Sequence, residues 1–556
     1  MSARSRWGFA LVACLTVVVF ASLLPLDGEA GPRFFLFRKR PPLYCPLPPI
    51  PPPSEATVVA PRLWPMFGGT SQRNMVNLLE TNLPAKWSFK EGKRKNIKWV
   101  ADLGTKAYGG PAIAGGRIFI GTNNQNPRDP ASFKDGRPID LGVMMCFRES
   151  DGAFLWQAVH EKLPLGRVQD WPLQGICSVP AVEGERIYYV SNRCELICAS
   201  VFDGKAIWTL DMRKELGVFP HNMSSCSPLI ADDTVFVVTS NGVDGGHISI
   251  PAPAAPSFLA VNKNTGKVLW QNNAPTAKLV GADPTNPSMH FRQLVNRGEV
   301  LMHGQWSNPA YGVVNGQPQV VFPGGDGWLY SFTPHGELLW RFDCNPKYAK
   351  YVLGAKGTRN DFIATPVIYK NRVYIGTGQD PEHLIGEGHF WCIDMTRRGD
   401  VSAELVVNWN AVPPQTRPNP DSAMVWHYGG PTTKPDRAKL RRNYYFGRTM
   451  STCAIHEDIL YVADLNGLLH CLDADTGKVY WTHDTNSDIW SSPLWADGKI
   501  YLGNDDDSVF VFQHGKAKKL LAENEVEGPV RATPVALNGV LYITTGSQLY
   551  AIAADK

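Results

Sequence analysis

From residue 109 to the C-terminus, polar and apolar positions recur in one phrase. Two small residues lead into a Pro, an apolar stretch, a tight turn and a run in which β-branched and aromatic residues alternate. It reads GGPAIAGGRIFI at 109–120, CSPLIADDTVFV at 226–237, ATPVIYKNRVYI at 364–375, SSPLWADGKIYL at 491–502 and ATPVALNGVLYI at 532–543. Apolar runs with period-two alternation across a turn predict a β-hairpin. A second phrase follows it downstream: a Gly turn, two or three chain-extending residues and a Trp. It reads DGAFLW at 151–156, DGKAIW at 203–208, NTGKVLW at 264–270, HGELLW at 335–340 and TGKVYW at 476–481.

The opening Pro stands at Pro111, Pro180, Pro228, Pro309, Pro366, Pro493 and Pro534, and Cys453 takes the same place, so eight units are expected. The shortest units place the Trp 28 residues after the opening, as from Pro180 to Trp208 and from Cys453 to Trp481. By that spacing Leu521 holds the Trp slot of the seventh unit; the fifth unit is longer, with Trp409 in its slot 43 residues after Pro366. The eighth unit runs out of chain before its Trp, and Trp99 stands unpaired ahead of the first. A four-stranded meander cannot bury both faces alone; stacking around an axis buries them and leaves only short edges. The fold class is therefore all-β: an eight-bladed β-propeller of four-stranded antiparallel blades, the last closed by the N-terminal strand around Trp99. The Trp is expected to wedge between blades.

Strands in a meander alternate direction. Loops after strand two and links from strand four to the next blade thus emerge on one face. Long inserts after strand two at 121–142, 239–258 and 377–390, with long links at 271–298 and 410–447, elaborate that face, while tight turns such as 496–499 mark the other. Elaboration on one face of a rigid scaffold is where binding is sought.

Ahead of the repeats, Arg4 and Arg6 precede an apolar run from Phe9 to Leu26 and a small-residue exit at 28–32. This reads as a signal peptide or membrane anchor over residues 1–30 and implies export, with a membrane tether through 9–26 if uncleaved. Residues 31–63 form a Pro-rich linker of extended, polyproline-like character, and residues 64–556 the propeller. The net charge of +4 over 556 residues gives no ground for a nucleic-acid partner. Of the 11 cysteines, Cys146, Cys198 and Cys471 each stand ten residues before a Trp, where the third unit has Ala260. That marks a small buried strand position. Cys194 and Cys198 could pair across a hairpin.

The phrases LAVNKNTGKVLW at 259–270 and HCLDADTGKVYW at 470–481 resemble the repeat of pyrroloquinoline-quinone (PQQ) propellers. That superfamily includes quinoprotein alcohol dehydrogenases and the outer-membrane assembly lipoprotein BamB. The resemblance implies one of two functions: a binding or scaffold module at the cell envelope, or a quinoprotein oxidoreductase holding PQQ and calcium at the channel mouth. For the second, VFVVTSNGVD at 235–244 resembles the phrase that carries a calcium-binding Asn. Asn241 is then the metal ligand, with Asp244 or Asp380 adding carboxylate oxygen. Asn241, Trp306, Trp490, Arg448 and Arg531 are the candidate quinone contacts. The adjacent cysteines and the H-D-x-W-D-like stretch of those enzymes are absent. His221, His247, His290 and His303 are candidate bases on or near the elaborated face. For the first function, Trp171 and Trp426 with Arg437, Arg441 and Arg442 are the candidate contacts to a protein or other extended partner.

Overall fold

The computed structural model describes residues 62–555 apart from 91, 284–287, 302, 352–356, 380 and 441, with backbone alone at 381 and 439. The signal or anchor segment and nearly all of the linker lie outside these residues. Among the described residues no helix is long and apolar enough to cross a membrane.

Eight antiparallel meanders form the ring. In each, the residue after the opening Pro or Cys453 begins the inner strand, as in Ala181–Glu183, Leu229–Ala231, Ala454–His456 and Leu494–Ala496. The eighth blade is completed from the other end of the chain: Ile97–Asp102 pairs antiparallel with Gln548–Ile552, Trp99 opposite Ala551. The closure expected around Trp99 is therefore present.

The turn-and-Trp phrase works across blade junctions. At five junctions the Trp ring lies where the next blade's turn glycine would carry a Cβ; Trp340 differs, its indole N–H donating to Gln319 Oε1 of its own blade at 2.9 Å. Gly152 faces Trp99, Gly204 faces Trp156, Gly266 faces Trp208 and Gly477 faces Trp426, with ring atoms 2.5–2.8 Å from the Cβ position. The indole N–H then donates to a backbone carbonyl of that neighbour: Trp156 to Val201 at 3.0 Å, Trp208 to Lys263 at 3.0 Å, Trp426 to Ala474 at 2.9 Å. The glycine admits the ring and the carbonyl satisfies its polar edge, as a buried indole requires.

Two assignments change. Blade five closes with Met424–Gly429, where Trp426 opposes Cys392 as Trp481 opposes Cys471 in blade six. Trp426, expected as an exposed partner contact, is the blade-five wedge. Trp409 instead follows Glu404–Asn408, the first strand of a hairpin with Gln415–Pro418. That hairpin is inserted between strands three and four, so the face expected to carry only tight turns is elaborated here too. In blade seven Ala522, not Leu521, opposes Val511, and the ladder is irregular just past this pair. The nine described cysteines are all free and mostly buried, Cys194 and Cys198 included.

Residues 64–77 have no counterpart in the repeat. This segment runs along the inner strands and bonds to all eight blades. Trp64 exchanges backbone hydrogen bonds with Ile113 of blade one at 2.8 and 3.0 Å. The N–H groups of Val182, Tyr311, Ile368 and Trp495 donate to the carbonyls of Pro65, Ser71, Gln72 and Met75 at 2.8–3.0 Å. Asn74 Oδ1 accepts from Ile455 N–H at 2.9 Å, and Asn77 Nδ2 donates to Ala536 of blade eight at 2.7 Å. Arg73, fully buried, serves blades three and four, donating to the carbonyls of Ser227, Pro228 and Pro309 at 2.9–3.1 Å. Burial pulls Arg73 down to about 10, which leaves it cationic at neutral pH.

Arg73→Ala leaves three buried carbonyls, and that of half-buried Phe67, short of a donor. We expect a loss of about 3 kcal/mol in chemical denaturation, against under ~0.5 kcal/mol for Lys90→Ala, an exposed ion-pair residue. Gly477 and Gly498 both have positive φ, 71° and 67°, but only Gly477 faces a Trp ring. Gly498→Ala should cost about 1 kcal/mol. Gly477→Ala should cost a further ~1–3 kcal/mol by overpacking Trp426.

Candidate functional site

The links that lead into the inner strands converge over the channel and enclose a cavity of about 250 Å³. Every blade junction contributes to its lining. Tyr108, Trp171, Met223, Trp306, Met450 and Trp490 form most of the wall, with Arg531 and Glu382 as charged groups. Phe67 of the inner segment also lines it. Below the wall runs a collar of hydrogen bonds from blade to blade. Val179 N–H donates to Ser227 Oγ at 3.0 Å, Ser227 N–H to Asn308 Oδ1 at 2.5 Å and Asn308 Nδ2 to Thr365 Oγ1 at 2.7 Å. The collar continues through Thr365, Thr452, Ser492 and Thr533 at 2.9–3.3 Å. It occupies the small-residue positions of the repeat, whose side chains thus hold neighbouring blades in register.

One side of the wall is an aromatic stack. Tyr108 and Trp490 lie 5.9 Å apart at 23°, and the Arg531 guanidinium sits 4.3 Å from the Trp490 ring. Asp505 holds Arg531 in a two-point pair at 2.6 and 2.8 Å. On the other side Trp171 carries Arg167 at 4.2 Å. Of the five quinone contacts expected from the sequence, Trp306, Trp490 and Arg531 meet at this cavity, together with Trp171 from the partner set. Tyr108 and Phe67 were missed, because neither belongs to a recurring phrase.

The other candidates lie elsewhere. Asn241 is buried beside the cavity, and both ends of its amide are engaged: Oδ1 accepts from Phe219 N–H and Nδ2 donates to the Ala252 carbonyl, each at 3.0 Å. Asp244 caps its own turn, accepting from Gly246, Ile248 and Ser249 N–H at 2.9–3.1 Å and from Ser249 Oγ at 2.6 Å. Both side chains take part in building the loops around them. Arg448 is buried, donating to the carbonyls of Gly357, His383 and Leu384 and to Asn360 Oδ1 at 2.5–3.1 Å. Arg448 is thus held in a cradle of backbone carbonyls, and Arg531 reaches the wall already paired with Asp505. Arg437 is exposed on the helix Lys434–Leu440. Asp380 and Arg441 lie outside the described residues.

Arg442 does not present a basic surface. It binds Asp464 Oδ2 at 2.8 Å and the Tyr445 carbonyl, tying the blade-five link to blade six. Burial pushes the Asp464 carboxyl up, but hydrogen bonds from His470 and Arg442 outweigh it and bring it down to about 2.

Three of the four candidate bases are brought together. His221, His247 and His303 have ring centroids 4.6–4.8 Å apart, and Trp306 stacks on His221 at 5.7 Å while lining the cavity. Burial lowers His221 to about 3 and His303 well below the usual range, so both rings are neutral at neutral pH. His290 stands apart on an exposed helix.

A family model described as outer membrane protein assembly factor BamB matches residues 140–380 and 416–556. No curated protein matches the chain by sequence. Among solved structures it is similar to BamB from Moraxella catarrhalis, with 13% identity and a TM-score of 0.47 over 81% of this chain and 96% of that one. It is also similar to quinohemoprotein alcohol dehydrogenase from Comamonas testosteroni, with 11% identity and a TM-score of 0.47 over 89% and 81%. A europium-containing methanol dehydrogenase gives 12% and 0.46 over 88% and 98%.

Arg442→Ala removes a partner from a buried carboxylate and should cost about 3–5 kcal/mol at neutral pH. Since Asp464 is lowered on folding, its stabilisation is present above about pH 4 and lost as pH falls through about 2. The gap between wild type and variant in denaturant titrations should therefore narrow with acidification over that window.

Proposed function

This chain belongs to the outer membrane protein assembly factor BamB family of PQQ-repeat propellers, and from that premise we propose that it is an envelope recognition module that seats an aromatic or apolar group of its partner in the central cavity. The observation that carries this reading is the wall itself: Trp171, Trp306, Trp490 and Tyr108 around one concavity. Buried aromatics dominate binding energy where water is excluded. At about 250 Å³ the cavity falls below the ~300–1,000 Å³ of pockets that enclose a drug-sized ligand. It suits an anchoring side chain of a larger partner. The family's name points to outer-membrane polypeptides as the partner class. The basic and apolar N-terminus supports export, with the propeller held at the envelope by the Pro-rich spacer.

A quinoprotein oxidoreductase is the second reading, favoured by the meeting of Trp306, Trp490 and Arg531 at the channel mouth. The engagement of Asn241 with Phe219 and Ala252, and of Asp244 within its own turn, weighs against it.

Binding of denatured outer-membrane protein segments, followed by Trp fluorescence, separates the two. A Trp171→Ala, Trp490→Ala double variant should bind at least ~10-fold more weakly, about 1.4 kcal/mol, while Trp409→Ala on the inserted hairpin binds as wild type. Undiminished binding by the double variant contradicts the recognition reading. A bound chromophore and alcohol-dependent dye reduction on adding PQQ with calcium would establish the second.

A further inference from the structure

We propose that His221, His247 and His303 form a binding site for one divalent transition-metal ion of the zinc class. The three come from separate loops: the link after blade two, the loop after strand two of blade three, and the link before blade four. The donor nitrogens that they offer all lie within 4.8 Å of one another. His247 Nε2 and His303 Nε2 face each other at 2.7 Å.

The loops are built to hold this convergence. Asn241 ties Phe219 to Ala252, fixing the link that carries His221 against the loop that carries His247. Gln305 donates to the Asn241 carbonyl at 3.0 Å and so anchors the stretch that carries His303. Gly242 keeps the packing close: a Cβ there would lie 2.8 Å from His221 Cβ and 2.9 Å from the His303 carbonyl. These contacts give Asn241 a positioning role in place of the ligand role that its sequence context implied.

A second, independent observation concerns His221 alone. Its Nδ1 lies 2.8 Å from the Val243 carbonyl. A carbonyl only accepts, so Nδ1 carries the proton and Nε2 presents its lone pair. That Nε2 is fully buried and has no hydrogen-bond partner among the described residues. A network of imidazole hydrogen bonds accounts for the His247–His303 pair but leaves this buried acceptor unexplained. A metal ion accounts for it, and a backbone carbonyl on the far nitrogen is the usual way a ligand histidine is oriented.

The dimensions suit such an ion. Tetrahedral Zn²⁺ with bonds of about 2.0–2.1 Å separates its ligand nitrogens by roughly 3.3 Å. The His247–His303 pair has to open by about 0.6 Å on that geometry and the His221 nitrogen, within 4.8 Å of both, to close by up to ~1.5 Å, shifts that the half-buried His247 loop can share. Asp361 Oδ2 lies 3.6 Å from His303 Nδ1, a carboxylate behind a ligand histidine. His383, with its ring 4.8 Å from that of His303, flanks the cluster. Three imidazoles select zinc-class cations over calcium, which takes oxygen ligands. Trp306 separates this site from the central cavity, packing edge-on to His303 at 4.8 Å and stacked on His221.

The test uses the untagged full chain, stripped with chelator and titrated with Zn²⁺ by calorimetry, with Co²⁺ absorption as the coordination readout. One ion per chain is expected, with no competition from Ca²⁺. His247→Ala, on the half-buried loop, should weaken Zn²⁺ binding at least ~10-fold and alter the Co²⁺ spectrum. His303→Asn supplies a second variant of similar bulk and the same expected loss. His290→Ala, an exposed histidine of the same face, should bind as wild type. Stoichiometry other than one, or a folded His247→Ala or His303→Asn protein with wild-type affinity, overturns the proposal.

Discussion

A propeller gathers its inner strands around one narrow channel, and each presents a backbone edge there with nothing from its own blade to pair with. In this protein residues 64–77 meet that need. Six inner-strand N–H groups, those of Ile113, Val182, Tyr311, Ile368, Ile455 and Trp495, donate to this segment, while Arg73 and Asn77 serve the carbonyls of the remaining blades. Buried backbone groups left unpaired would each carry a substantial penalty. The same segment brings Phe67 to the lining of the cavity, so what stabilises the ring also helps to shape the site.

Around that hub, the blades are joined at two radii. Near the axis, small polar side chains form a collar from Val179 to Thr533. Further out, at five junctions a Trp seats on the next blade's turn glycine and bonds to that blade's backbone. The last junction uses the same device, since Trp99 on the closing strand donates to the Glu149 carbonyl of blade one at 3.2 Å. With the junctions fixed in this way, the links over the channel need not hold the ring together. They are free to carry the aromatic wall and, between blades two and four, the histidine cluster.

The fold was legible because its determinants are local and recur. Pro before an inner strand, alternation across a hairpin and a Trp after a Gly turn are set by backbone geometry, and they revealed the eight blades and the closing role of Trp99. Fixed spacing failed where the chain departs from the repeat. The insertion at 395–423 carries Trp409 past the blade and leaves Trp426 as the wedge. In blade seven the turn between strands three and four is one residue longer than in blade six, which moves the slot from Leu521 to Ala522. The inner segment left no periodic signature, since most of its bonds use main-chain carbonyls that any residue supplies. The candidate site was legible in part. Aromatics at fixed places in the links, Trp171, Trp306 and Trp490, do converge. Asn241 and Asp244 drew attention by resemblance, but Asn241 bridges the preceding link to its own loop and Asp244 caps its own turn. The convergence of His221, His247 and His303 depends on how three loops cross, which spacing along the chain does not encode.

The central claim is that residues 64–77 pair with every blade and thereby close the channel beneath the cavity. Amide hydrogen exchange tests it most directly at Val182, Tyr311, Ile368 and Trp495, whose N–H groups have only this segment as acceptor. Protection equal to that of the neighbouring second strands is the expected result. Exchange of these amides at the rate of the surface links, with the second strands still protected, would contradict the account.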